Sequence, residues 1–225
     1  MAKPQYPSTR KERAQAYLLV MEEVRARFEV LDATLLAALH PNLIREICYL
    51  QYRHLCELVA IGCLVAQGDF AAHRAFREDY NPNTIFKFLE RIVITDPPDA
   101  VVTFFPHSVT RTIKDGTHHI DLDGKPHAAT RKQLIDLWAR SGNFLHRLST
   151  AKFFKDKEVI SEWKTELTTI TEKLKALLDN HAIWILSERC MLVVTLSQPD
   201  CLVLAQYMGF GDDDQIQLEE YRLTR

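Results

Sequence analysis

The chain has 225 residues, of which 47% are hydrophobic and 26% charged, an ordinary soluble globular balance with ample length for a sizeable core. Its formal net charge is -2, which excludes a global attraction to nucleic acid or anionic lipid, so any such binding is local. The N-terminus, MAKPQYPSTRKERAQAYLL, is polar and charged where a signal peptide would carry an apolar core. The expected location is therefore the cytoplasm. Cys48, Cys56, Cys63, Cys190 and Cys201 form no C-x-x-C pair and sit mostly in apolar runs, which suits reduced, buried thiols rather than metal ligands.

In chain order, Ser8 is the expected cap of a helix running from about Thr9 into the low thirties. Leu18, Leu19, Met21, Val24 and Phe28 recur at helical spacing, and Arg10, Lys11, Arg13, Arg25 and Arg27 mark the wet face. His40-Pro41-Asn42 breaks the chain before Ile44 to Gln67, the helix around which the fold is expected to form. That helix is apolar from Leu55 to Ala66 apart from Glu57, too short a run for a bilayer, where about 20 residues are needed. Glu57 cannot be buried alone without a cost of several kcal/mol, and Arg53, four residues earlier, lies on the same face to pair with it. Glu46 and Tyr49 fall close to that face, and Gly68 follows the helix.

Asp69 to Asp79 reads as a short helix, and Asn81-Pro82 supplies a cap and first-turn proline for another, NTIFKFLERIVI. Val101 to Phe105 reads as short and extended. Two β-prone runs then flank Asp115-Gly116, a strong hairpin signal, within residues 108 to 123. The histidines His107, His118 and His127 have no spacing that demands a metal. Thr130 caps a helix whose Leu134, Leu137, Trp138, Leu145 and Leu148 make an apolar stripe, interrupted by Gly142, a mark of close helix contact or a local break. A long amphipathic helix is expected from about Lys157 to Leu178. AIWILSE, CMLVVTL and CLVLAQYM read as three short strands, the last open to a helical reading, and the acidic tail after Gly209 is expected to fray.

Arg140 and His146, with five residues between them, fit an Arg-x(4 to 6)-His pattern, and Ser141 supplies a polar residue directly after the arginine. In this respect the helix resembles HEPN domains, all-helical bundles found in RNA-cleaving toxins and phage-defence proteins. The resemblance implies that Arg140 holds the scissile phosphate and His146 assists proton transfer across a dimer interface, with Glu57, Arg53 and Asn143 in support. A second likeness runs from Arg45 to Arg147 through RxxxxLQYRHLCELVAIGCLVAQGD, NTIFKFLERI, FFP and SGNFLHR. These segments resemble an uncharacterised family of bacterial cytoplasmic proteins, which implies a bacterial source and a shared fold but no activity.

The expected fold class is α+β: a mainly helical bundle around a buried central helix, with an inserted β-hairpin and a small C-terminal antiparallel sheet. Residues 1–225 are expected to form one compact unit. Within it, 1–95 and 129–179 are helical, 100–128 is the hairpin insertion, 181–209 the sheet and 210–225 the acidic tail. The expected function is a non-enzymatic interaction module, with a second copy of the chain as candidate partner through the Gly142 helix. The alternative is a HEPN-like, metal-independent endoribonuclease acting on RNA. A bland account joins Arg140 or His146 to Glu57 in one structural network. No metal, cofactor or membrane partner is assigned.

Overall fold

The structure is a computed structural model that describes residues 9–68, 81–93, 104–114, 117–122, 124–125, 127–146, 162–185, 190–196, 203–210 and 216–223. The expected helices at Asp69 to Asp79 and before Glu162 lie outside these residues, as do Ser8, Cys201 and Leu148. The helices are α1 (Arg10–Leu36), α2 (Pro41–Ala66), α3 (Pro82–Val93), α4 (Arg131–Leu145) and α5 (Trp163–Leu178). The strands are β1 (His107–Ser108), β2 (Thr110–Lys114), β3 (Thr117–Asp121), β4 (Asn180–Ile185), β5 (Cys190–Thr195), β6 (Val203–Phe210) and β7 (Ile216–Leu223). The class is α+β, a helical bundle with a small antiparallel sheet.

Local chemistry sets the boundaries. Thr9 caps α1 in a reciprocal box: its Oγ1 accepts from the Glu12 amide at 3.2 Å, while the Thr9 amide donates to Glu12 Oε2 at 3.0 Å. Ala14, Tyr17, Leu18, Met21, Val24, Phe28 and Leu31 form its buried stripe. Leu19, read from spacing as inward, is exposed, and Arg13, read as outward, is buried. The reason lies at the end of α2. Gly68 takes φ +102°, and a Cβ there would stand 2.7 Å from an Arg13 guanidinium nitrogen, so the arginine lies against a glycine that leaves it room. His40 caps α2 through Nδ1, which accepts from the Asn42 amide at 3.3 Å, ahead of Pro41 in the first turn.

α2 is the enclosed helix. Tyr49, Tyr52, Leu55, Cys56, Val59, Ala60 and Cys63 are within 1% of full burial, and α1, α3, α4 and α5 all meet it. Gly62 brings α1 close, since a Cβ there would stand 3.1 Å from Met21 and 3.2 Å from Tyr17. Tyr52 donates its hydroxyl to the Leu167 carbonyl at 2.7 Å, fixing α5 across the bundle. Gln67 Nε2 donates to the Trp184 carbonyl at 2.8 Å and ties the end of α2 to β4. Burial pushes the Cys48 thiol up to about 11 and raises Cys56 and Cys63 as well.

Five strands form one antiparallel sheet in the order β1-β4-β5-β6-β7. Ile183, Ile185, Leu192, Val194, Val203 and Ala205 join the main core with the helices. The alternate residues Ala182, Met191 and Val193 form a second small core with Val109, against which Ile120 of the hairpin packs. Burial on both faces explains why CMLVVTL is an unbroken apolar run rather than an alternating one. β2 and β3 pair antiparallel from Thr110 opposite Asp121 to Lys114 opposite Thr117, the two runs that flank Asp115-Gly116, which themselves lie outside the described residues. The segment open to strand or helix is strand β6 where it is described.

The tail expected to fray contains a strand instead. Ile216–Leu223 forms β7, paired with β6 from Ile216 opposite Phe210 to Leu223 opposite Val203. IQLEEYRL alternates beyond the Asp212 to Asp214 run, and Gln206 Nε2 donates to Glu220 Oε2 at 2.8 Å across the pair. Tyr221 packs against the main core on the opposite face.

His181 is fully buried between α1 and α5. Its Nδ1 lies 2.7 Å from the Leu178 carbonyl, which can only accept, so Nδ1 carries the proton and Nε2 accepts from the Tyr17 hydroxyl at 2.8 Å. Burial lowers its pKa from 6.5 to about 4. Because the unfolded chain takes up this proton first, the contribution is complete above the unfolded pKa and is lost as pH falls from 6.5 toward 4. Denaturant unfolding at pH 4.5 against pH 7.5 should show a His181-dependent loss on the order of 2 kcal/mol, absent in His181→Gln.

Candidate functional site at the junction of α2, α4 and α5

α4 starts at a second reciprocal cap, with the Gln133 amide donating to Thr130 Oγ1 at 3.3 Å and the Thr130 amide to Gln133 Oε1 at 2.9 Å. It then runs along the face of α2 that carries Arg45, Tyr49, Arg53 and Glu57, each four residues after the last. Gly142 is where the two helices come close: a Cβ on it would stand 2.8 Å from an Arg53 guanidinium nitrogen. The glycine therefore marks a close helix contact inside the chain, and α2 occupies that side of it.

Two polar clusters result. In the first, Glu57, with its side chain 14% exposed, accepts on Oε1 from Arg53 Nε at 3.1 Å and from Trp138 Nε1 at 2.9 Å. His54 Nδ1 lies 3.5 Å from its other oxygen, and the Arg53 guanidinium stands 5.1 Å from the Trp138 ring centre. Glu57 thus has the arginine partner its burial requires. In the second cluster, Arg140 pairs with Glu166 of α5 and stands 5.5 Å from the ring centre of Tyr49. Tyr49 stacks on Phe144 at 4.3 Å between centroids, and Arg45 lies 4.9 Å over Phe144. Cations and rings alternate: Arg140, Tyr49, Phe144, Arg45. Burial raises the Tyr49 hydroxyl while Arg140 beside it opposes that rise.

Arg140 keeps 51% of its side chain exposed. His146 is exposed at the C-cap of α4, held through its backbone amide to the Gly142 carbonyl at 3.1 Å. Six helical steps of about 100° set positions 140 and 146 roughly 120° apart around the axis, so one chain does not aim both side chains at a common point. Asn143 is exposed. Ser141 is fully buried and donates to the Leu137 carbonyl at 2.7 Å, so its hydroxyl is committed inside the fold. The account that joins Arg140 or His146 to Glu57 does not hold: the partners of Glu57 are Arg53, His54 and Trp138.

Beside Arg140, a groove of about 220 Å³ opens between α4 and α5. Leu134, Leu137, Ile170 and Leu174 give it an apolar lining, and Gln133, Asp136, Arg140 and Lys173 supply its polar groups. Among the described residues no group of three or more His, Cys, Asp or Glu is placed to hold a metal ion, and no helix is long and apolar enough to cross a membrane. Compared with known proteins, the chain matches no family model, no curated protein and no solved structure.

The sequence reading missed Trp138 as a donor to Glu57, and it missed Phe144, Arg45 and Glu166 as neighbours of the Arg140 and Tyr49 pair. The four-residue rhythm Arg45, Tyr49, Arg53, Glu57 carried a signal for Arg45 alone; Trp138, Phe144 and Glu166 arrive on separate helices. Replacing Glu57 by alanine strands a half-buried guanidinium and an indole N–H. Urea unfolding of Glu57→Ala should show a loss of roughly 1–3 kcal/mol, and Trp138→Phe a smaller loss of about 1 kcal/mol.

Proposed function

We propose that the protein is a cytoplasmic, non-enzymatic interaction module that holds a short apolar, acid-bearing segment of a partner protein in the groove between α4 and α5. The observation that carries this reading is Arg140, half exposed at a leucine-lined groove and already engaged with a carboxylate, that of Glu166. A guanidinium braced on a tyrosine ring is well suited to fix a further carboxylate oxygen without losing its orientation. Lys173 adds a second cation to the groove. Asp136 and Glu166 set negative charge beside them, which disfavours a phosphate chain and favours a single carboxylate on an apolar body. The likeness of the 45–147 segments to uncharacterised bacterial cytoplasmic proteins implies a bacterial source and bears on no activity.

A displayed library of random peptides panned on the protein should enrich sequences that combine two or three apolar residues with Asp or Glu. The Arg140→Glu/Lys173→Glu variant should lose that enrichment. Enrichment of basic peptides, or acidic peptides retained by the variant, would reject the assignment.

A second reading takes up the exposure of both Arg140 and His146 in the last turns of α4: a HEPN-like endoribonuclease whose site forms only when two chains bring the residues together. In this reading Arg140 leaves Glu166 to hold phosphate while His146 moves the proton, with Asn143 beside them. Purified protein incubated with total RNA should then give cleavage that His146→Ala abolishes; identical RNA patterns would exclude it.

A further inference from the structure

We infer that β7 is a self-pairing edge, joining two copies of this chain into one continuous antiparallel sheet with its two-fold axis at Tyr221. Among the described residues the sheet ends in β1, only two residues long, and in β7, eight residues long. Among the described residues no strand pairs with the outer side of β7, so about half of its residues direct backbone N–H and C=O groups toward an open edge. Such an edge takes up an extended strand of any partner unless its side chains select one.

Symmetry narrows the choice. Two copies of one strand that extend a sheet antiparallel are related by a two-fold axis normal to the sheet, which keeps each residue on its own face. Residues opposite one another must then share the same parity, so the axis passes midway between a residue and its own copy. At Glu219, Glu220 or Arg222 the axis would set a charge against itself, which is destabilising in a cross-strand pair. At Tyr221 it sets Glu220 opposite Arg222 of the other copy, twice, with Tyr221 against Tyr221. Within one strand Arg222 Nε already donates to Glu220 Oε1 at 2.6 Å on that face, so the four charges alternate in sign around the axis. On the other face Tyr221 donates its hydroxyl to Glu219 Oε2 at 2.6 Å, and Glu219 lies 3.4 Å from Arg10 of α1, which draws that acid toward its own chain. Of the registers centred on residues 219 to 222, this is the one in which no charge meets its like.

Sedimentation of the full chain should show a dimer. Glu220→Arg should weaken it roughly tenfold or more, and Glu220→Arg/Arg222→Glu should restore it. On oxidation Tyr221→Cys should form a cross-linked dimer and Glu219→Cys should not, because residue 219 lies about 14 Å along the strand from its copy. A wild-type chain that sediments as a monomer, a dimer indifferent to the single reversal, or equal cross-linking at 219 and 221 would overturn the inference.

Discussion

Enclosing α2 on several sides obliges the polar groups on its inner faces to find partners within the protein, because little water reaches them. Tyr52 satisfies this with a carbonyl of α5, Gln51 accepts from Arg27 at 3.2 Å, and Glu57 gathers Arg53, His54 and Trp138. These bonds fix more than energy: they set which helix lies where. A core of leucine and valine alone would tolerate α4 sliding along α2, whereas one carboxylate bonded to one indole admits a single register.

The groove beside Arg140 follows from that register. With Gly142 seated against Arg53 and Trp138 against Glu57, Arg140 between them is carried over Tyr49 and toward Glu166. The apolar faces of α4 and α5 then diverge enough to leave the leucine-lined cleft. A recognition reading uses these side chains as they stand. A nuclease reading requires a second chain to supply what the helical phase of 140 and 146 keeps apart.

Much of the architecture was legible in the residues themselves. The apolar run broken only by Glu57 marked the central helix, Asp115-Gly116 marked the hairpin, Thr130 marked the start of α4, and each is where the pattern places it. Misreadings arose where tertiary partners override local pattern. Arg13 looks like a solvated cation until Gly68 makes room for it, and Leu19 sits beside the apolar stripe of α1 but faces solvent. The acidic run before β7 suggested a loose terminus because composition weighs every residue alike, while pairing depends on what lies opposite, here β6. For the site, Arg53 and Glu57 share one helix and their spacing declared them. Glu166 reaches Arg140 from 26 residues away in sequence, a separation that no periodicity spans.

Cys48, Cys56 and Cys63 descend the enclosed side of α2 at intervals of eight and seven residues, all fully buried. With their thiols held protonated by burial, alkylating reagents reach them only when the surrounding helices part. The molecule therefore carries three internal gauges of its own breathing, spaced along a single rod, able to tell whether the bundle opens from one end or comes apart all at once.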